Sequence, residues 1–176
     1  LAGLVTRRQL AWDCATGNGQ AAIALARHFD AVIATDASDT QIDAAISHHA
    51  VSYRVAPAED SGLFDASADL VTVGQALHWF DTQRFFTEAS RVLATGGCIA
   101  AWCYELCNVS PACDAAIGRL YNDIVGPFWP PERRLIEERY GSIDFPGTAI
   151  VAPEFEMSVN WTVDDMLGYL RTWSAC

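Results

Sequence analysis

Asp13-Cys14-Ala15-Thr16-Gly17-Asn18-Gly19-Gln20, together with Asp36 seventeen residues past Gly19, has the residue types and spacing to hold a nucleoside ligand. Glycines at a tight turn let the backbone approach a ligand and take positive φ, and the first free N–H groups of a following helix attract an anion. A carboxylate roughly 20 residues after such a loop is placed to accept hydrogen bonds from a ribose diol. Gly17-Asn18-Gly19-Gln20-Ala21-Ala22 fits G-x-G-x-x-A, so a dinucleotide is one ligand class, and a nicotinamide-dependent oxidoreductase is one reading. Asp13 favours another class. An acid four residues before Gly17 repels a pyrophosphate but not a ligand that carries ammonium and sulfonium groups. Further along, His78 has the pKa for proton transfer near neutrality, as a general base or substrate anchor, or it is a polar loop residue packed beside Trp79.

The elements that must position these residues follow from apolar periodicity. Leu10–Trp12, Ala31–Thr35, Val51–Val55, Asp69–Gly74 and Cys98–Tyr104 read as strands, and about Gln20–Phe29, Asp39–His48 and Thr82–Leu93 as helices. Ser38 or Asp39 caps the second helix and Asp81 the third, which Gly96-Gly97 ends. This alternation predicts an α/β fold, a parallel sheet with helices on both faces. Beyond Tyr104 the pattern changes to helices over Pro111–Val125 and Glu132–Tyr140, joined by the aromatic turn Gly126-Pro127-Phe128-Trp129-Pro130-Pro131. Arg133/Glu137 and Arg134/Glu138 stand four apart, the spacing of surface ion pairs, although the arginines could instead hold an acidic substrate. Glu154–Trp161 alternates as a sixth strand, and Thr162 with Asp165 forms a capping box for a last helix.

Composition narrows the functions. The chain has 176 residues, 51% of them apolar, and no apolar run of membrane-spanning length. A net charge of −11 disfavours a nucleic-acid partner, which leaves a small-molecule substrate; the oligomeric state is open. All eleven basic residues are Arg, so a Walker lysine, a pyridoxal Schiff base and a Tyr-x-x-x-Lys pair are excluded. Cys103, Cys107 and Cys113 lack the paired spacing of metal sites, so the six cysteines read as reduced structural thiols in a cytoplasmic setting, with no metal expected.

The series Asp13, Ala15, Gly17, Gly19 resembles the first motif of the class I S-adenosylmethionine-dependent methyltransferases, with Ala15 in place of the first glycine. Arg91-Val92-Leu93-Ala94-Thr95-Gly96-Gly97 is similar to a turn found widely among them. His78-Trp79, Trp129, Phe145-Pro146 and Gly168-Tyr169-Leu170-x-Thr172-Trp173-Ser174-Ala175 look like the trans-aconitate-methyltransferase-like branch, in the methyltransferase type 11 group. The resemblance implies a Rossmann-like doubly wound sheet and S-adenosylmethionine as cofactor. The loop Asp13, Ala15, Thr16, Gly17, Gly19 would hold its methionine part, Asp36 and Ala37 its ribose, Ala58 and Glu59 its adenine, and Gln75 and Ala76 would border its methyl end beside His78. It further implies methyl transfer to an organic-acid carboxylate or other oxygen, or else a non-catalytic cofactor-binding domain. Residues 1–104 would form the cofactor-binding core, and 105–176 a helical aromatic lid inserted after the fifth strand, plus the sixth strand and terminal helix of the same domain. The implied strand order is 3-2-1-4-5-7-6. With six strand candidates present, the expectation is a fragment lacking an amino-terminal helix and the last strand.

Overall fold

A computed structural model of the chain describes residues 1–152 and 155–176. Five strands, β1 (Leu10–Cys14), β2 (Ala31–Asp36), β3 (Val51–Val55), β4 (Ala68–Gly74) and β5 (Leu93–Trp102), form one sheet in the order β3-β2-β1-β4-β5 with every pairing parallel. Helices α1 (Gln20–Leu25), α2 (Asp39–Asp43) and α3 (Thr82–Val92) connect them. This is the doubly wound Rossmann-like arrangement expected from the alternation of elements. Chain order reverses beside β1, so the carboxyl ends of β1, β2 and β4 border the crevice where such sheets take ligands.

β1 and β4 are nearly continuous apolar runs because both faces are covered. Alternation along β1 sends Trp12 and Cys14 to one face, where they pack with Val71, Val73, Phe85 and Ala89, and Ala11 to the other, with Ala22, Leu25 and Val32. The buried Trp12 indole donates to Thr35 Oγ1 at 2.9 Å, so its polar atom is satisfied inside the core. At the opposite end of the sheet, buried Asp69 accepts from Arg7, from Gln9 N at 2.7 Å and from Leu10 N at 3.1 Å, clamping the entry of β1 to β4.

Several boundaries differ from the sequence reading. Gly96-Gly97 do not end α3; the helix stops at Val92 and β5 begins at Leu93. Ala68 faces Leu93 while Leu70 faces Cys98, so residues 94–97 bulge opposite Asp69. Gly96 adopts φ +80°, and a Cβ on Gly97 would stand 2.8 Å from Leu93 Cδ2 and 2.9 Å from Ala94 O. The two glycines therefore serve the bulge. α1 and α2 are shorter than expected, and the helix expected over Glu132–Tyr140 is α5 (Arg133–Glu137). α4 (Pro111–Arg119) continues into a π turn, Leu120–Ile124.

The expected strand Glu154–Trp161 is the main correction. Glu154 lies outside the described residues, and Phe155–Trp161 are exposed and form no strand. Apolar alternation favours a strand only where a sheet edge accepts its backbone groups, and nothing described pairs with this segment. The capping box at Thr162/Asp165 does open α6 (Val163–Leu170). No helix among the described residues is long and apolar enough to cross a membrane, and the six cysteines are free.

Glu88 of α3 secures the loop between β3 and β4. Its buried carboxylate accepts from Ser61 N at 2.8 Å and from Arg91 at 2.7 Å, and Arg91 reaches on to Asp65 and to Leu63 O. The Arg91 guanidinium, helped by the Ser61 hydrogen bonds, lowers the Glu88 pKa to about 2 from its ordinary 4.5. Glu88→Gln is expected to cost about 1–3 kcal/mol at pH 7. A depressed carboxylate pKa stabilises fully above about 4.5 and is lost as pH falls toward 2, so the variant's deficit, measured by urea denaturation, should narrow over that window.

Candidate functional site

The residues named from sequence sit at the carboxyl ends of the parallel strands. β1 ends in Asp13-Cys14, and the turn to α1 follows with Ala15 at φ +54°, Gly17 at +56° and Gly19 at +92°. Ala15 is therefore not in an ordinary strand-end conformation. It takes the left-handed region, at a cost on the order of 1 kcal/mol that a glycine would avoid. Gly19 is required by space as well as by φ: a Cβ there would lie 2.1 Å from the Tyr53 hydroxyl.

Three strands hold the turn. Asp13, 1% exposed, accepts from Thr72 Oγ1 of β4 at 2.7 Å and from Thr16 Oγ1 at 2.5 Å. Thr16 N donates to Thr35 O of β2 at 2.9 Å. Asp36, closing β2, accepts from Gly17 N and Ser38 N, both at 2.9 Å, so Asp36 and Ala37 border the glycine turn directly. Tyr53 of β3 covers Gly19 and donates to Ile46 O at 2.9 Å, while Ile46 N donates to Asn18 O at 3.1 Å. Sequence reasoning missed Tyr53, because nothing local in β3 marks a side chain that reaches across β2.

The third loop brings Ala58, which is buried, and Glu59, whose carboxylate accepts from Asp81 N at 3.1 Å. Burial raises the Cys14 thiol well above its ordinary pKa, and Asp13, Glu59 and Asp36 all push it further in that direction. Burial also raises Asp13 itself, against the hydrogen bonds from Thr16 and Thr72.

Past β4, Gln75 takes φ +54° and its side-chain amide is engaged with the backbone of Tyr104, accepting from its N–H at 2.8 Å. Ala76 leads into the 3-10 turn Leu77–Trp79. The geometry is thus a glycine turn, a strand-end acid and a third-loop acid, gathered at the crevice of a 3-2-1-4-5 sheet.

Comparison with known proteins resolves what kind of domain carries it. Residues 12–101 match the family model described as Methyltransferase domain. The chain belongs to the methyltransferase-domain family. Among its relatives, a Dictyostelium discoideum protein assigned to the methyltransferases is 34% identical over 171 residues, covering 96% of this chain. The chain spans 65% of that relative's own length. Among solved structures, an Anaeromyxobacter dehalogenans protein assigned as a type II methyltransferase superposes with TM-score 0.90 at 44% identity, over 99% of this chain and 74% of that one. Geranyl diphosphate C-methyltransferase from Streptomyces coelicolor, solved with S-adenosyl-L-homocysteine, shares the fold at TM-score 0.54 and 19% identity, over 58% of this chain and 42% of that one.

In this methyltransferase domain His78 is buried at 6% exposure, with Nδ1 3.0 Å from the Tyr140 hydroxyl and its ring against Trp79. Tyr140 and Arg139 both have positive φ, a strained pair that aims the phenol at the histidine. Tyr140 is a further residue that no local sequence signal marks. Burial, reinforced by the Arg133 charge and opposed by Glu132, lowers the His78 pKa to about 4 from 6.5, so the ring is neutral at pH 7. A histidine held neutral in the folded state stabilises it fully above about 6.5, and that contribution is lost as pH falls toward 4. Unfolding free energies from urea denaturation at pH 7 and pH 4.5 should therefore differ by about 1–2 kcal/mol more for the wild type than for His78→Gln, the full shift being reduced by solvent screening.

Proposed function

We propose that this methyltransferase domain binds S-adenosylmethionine at the β1–β2–β4 crevice and transfers its methyl group to a small organic molecule, with a carboxylate or similar oxygen as acceptor. The observation that carries the reading is the pair of acids at the strand ends, Asp36 against the glycine turn and Glu59 in the third loop, an acidic surrounding that suits a cationic nucleoside and opposes a diphosphate. When bound, the cofactor supplies a methyl group activated by a positively charged sulfur. The residues present fit it in chemistry: the turn Ala15, Thr16, Gly17 and Gly19 offers backbone carbonyls to an ammonium group, its Thr16, Gly17 and Gly19 N–H groups being engaged within the protein, and Asp36 with Ala37 offers oxygen acceptors for a ribose diol. Ala58 and Glu59 border the adenine position, and Gln75 and Ala76 the methyl end.

Both Asp36 oxygens already accept backbone N–H groups, which fixes the carboxylate while leaving each oxygen a further lone pair for a hydroxyl. His78, with a pKa of about 4 and Nδ1 at Tyr140, is a weak base at neutral pH. That favours an acceptor ionised without help, such as a carboxylate, over an alcohol that must lose a proton. Alignment of the acceptor and exclusion of water are then the chain's contribution to the rate. The net charge of −11 supports a small-molecule acceptor rather than nucleic acid.

Isothermal titration with S-adenosylhomocysteine tests the assignment. Asp36→Ala is expected to weaken binding at least tenfold, about 1.4 kcal/mol or more, and Asp36→Asn less, since the amide oxygen still accepts one hydrogen bond. Equal affinity in the wild type and Asp36→Ala would remove the ribose assignment. Tighter binding of NAD than of S-adenosylhomocysteine would overturn the cofactor.

A further inference from the structure

Arg133 differs from the arginines around it. Arg134 and Arg139 are neutralised by Glu138 at 3.0 Å and Glu105 at 2.7 Å, whereas Arg133 forms no ion pair among the described residues. The spacing expected to join Arg133 to Glu137 is interrupted by Tyr121, whose hydroxyl accepts from Arg133 Nε at 2.8 Å and donates to Glu137. The guanidinium carbon lies 4.8 Å from the Trp129 ring centroid and 5.2 Å from that of Tyr121. Trp129 is itself held, its indole N–H donating to Tyr121 O at 3.1 Å and its ring packing on Trp173. The plane of the guanidinium is thus fixed by two rings and one hydrogen bond. Its terminal Nη edge makes no hydrogen bond among the described residues.

Arg133 lines a cavity of about 380 Å³ whose walls include Tyr121, Trp129, Pro130 and Pro131, with Asn122, Glu137 and the Glu138-paired Arg134 also on its lining. A planar guanidinium held against aromatic faces with a free Nη edge is suited to end-on, bidentate recognition of an oxyanion. In a chain of net charge −11, an anion approaches only where a cation is displayed, and Glu137 is drawn off toward the Tyr121 hydroxyl. The helix that carries Arg133, α5, packs against the 3-10 turn that holds His78, and the Arg133 charge acts on His78 and Tyr104.

We propose that Arg133, stacked on Trp129 and Tyr121, binds an oxyanion, a carboxylate or phosphate ester on an apolar body, and that this ligand is the methyl acceptor. The last step rests on the methyltransferase reading above; the anion site itself does not. Trp129 supplies the reporter, since its indole N–H resonance is one of six and Trp129→Phe identifies it. Titration with sodium benzoate or phenyl phosphate should shift that resonance saturably, with benzamide, the neutral counterpart, without effect. Whichever of the two anions binds more tightly identifies the oxyanion.

Arg133→Gln should weaken the tighter anion at least about tenfold, and Arg133→Lys by an intermediate factor, because the charge stays but the fork is lost. The other five indole resonances report that the variants remain folded. Equal response to benzoate and benzamide in the unsubstituted protein, or unchanged anion affinity in either variant, would overturn the site. S-adenosylhomocysteine added to the same samples separates the two readings. Anion binding without S-adenosylhomocysteine binding keeps the site and removes the acceptor assignment; S-adenosylhomocysteine binding with neither anion saturating removes the site alone.

Discussion

A buried carboxylate at the tip of the central strand governs the arrangement of the crevice. Leaving Asp13 ionised and unpartnered in the core would cost several kcal/mol, so its position is tenable only with donors on both oxygens. Thr72 of β4 supplies one and Thr16 of the glycine turn the other. The same contacts that satisfy the acid therefore join two strands to the turn. Thr35 O and Asp36 of β2 then hold the N–H groups of Thr16 and Gly17. A turn pinned from three strands is ordered before any ligand arrives, and the entropy of ordering it is not charged against binding.

This pinning changes how charge acts at the site. The sequence presents Asp13 as the acid that would repel a diphosphate, and the side chain does lie against the turn. Yet it is enclosed, its pKa is raised by burial, and it is hydrogen-bonded to hydroxyls, so its main effect is on the shape of the turn. Asp36 and Glu59 carry the field at the strand ends, both oriented by backbone N–H groups of neighbouring loops. Each acid thus has a structural partner and a free lone pair, which joins folding to ligand preference in the same group.

How far the fold and the site could be read from sequence follows the range of the interactions. β1, β2 and β4 are recovered within about two residues because a strand covered on both faces writes its length as an apolar run, and the edge strand β3 is recovered at Val51–Val55 from the alternation of half-buried and exposed residues. The caps at Ser38, Asp81 and Thr162 are legible because each is local, a side chain and an amide three residues on. Gly96-Gly97 mislead because helix termination and a bulge call for the same residue. Glu154–Trp161 misleads because a strand is a property of a pair. At the site, the glycine turn and Asp36 are legible from spacing alone. Tyr53 over Gly19, Tyr140 against His78, and the hydroxyl of Tyr121 between Arg133 and Glu137 are contacts between distant segments, for which one sequence holds no signal.

The aromatic segment after β5 meets the core through few side chains. Ile136 and Tyr140 are its buried members of the cluster of Trp12, Phe85 and Leu77, with Leu135 and Ile143 packed against it and Phe145 on Phe86, and Tyr140 joins with two consecutive residues in the left-handed region. Backbone strain of this kind persists only where surrounding contacts over-determine it, here the buried ring and its bond to His78. The neutral histidine suits that junction. A charged ring would need a counter-ion in the core and would stand against the positive charge of Arg133, whereas a neutral one shares a hydrogen bond with a phenol whose own pKa burial has raised. The strained turn and the histidine are therefore mutually dependent, and their hydrogen bond, with the packing of α5 on the 3-10 turn, ties the helical segment to the loop that follows β4.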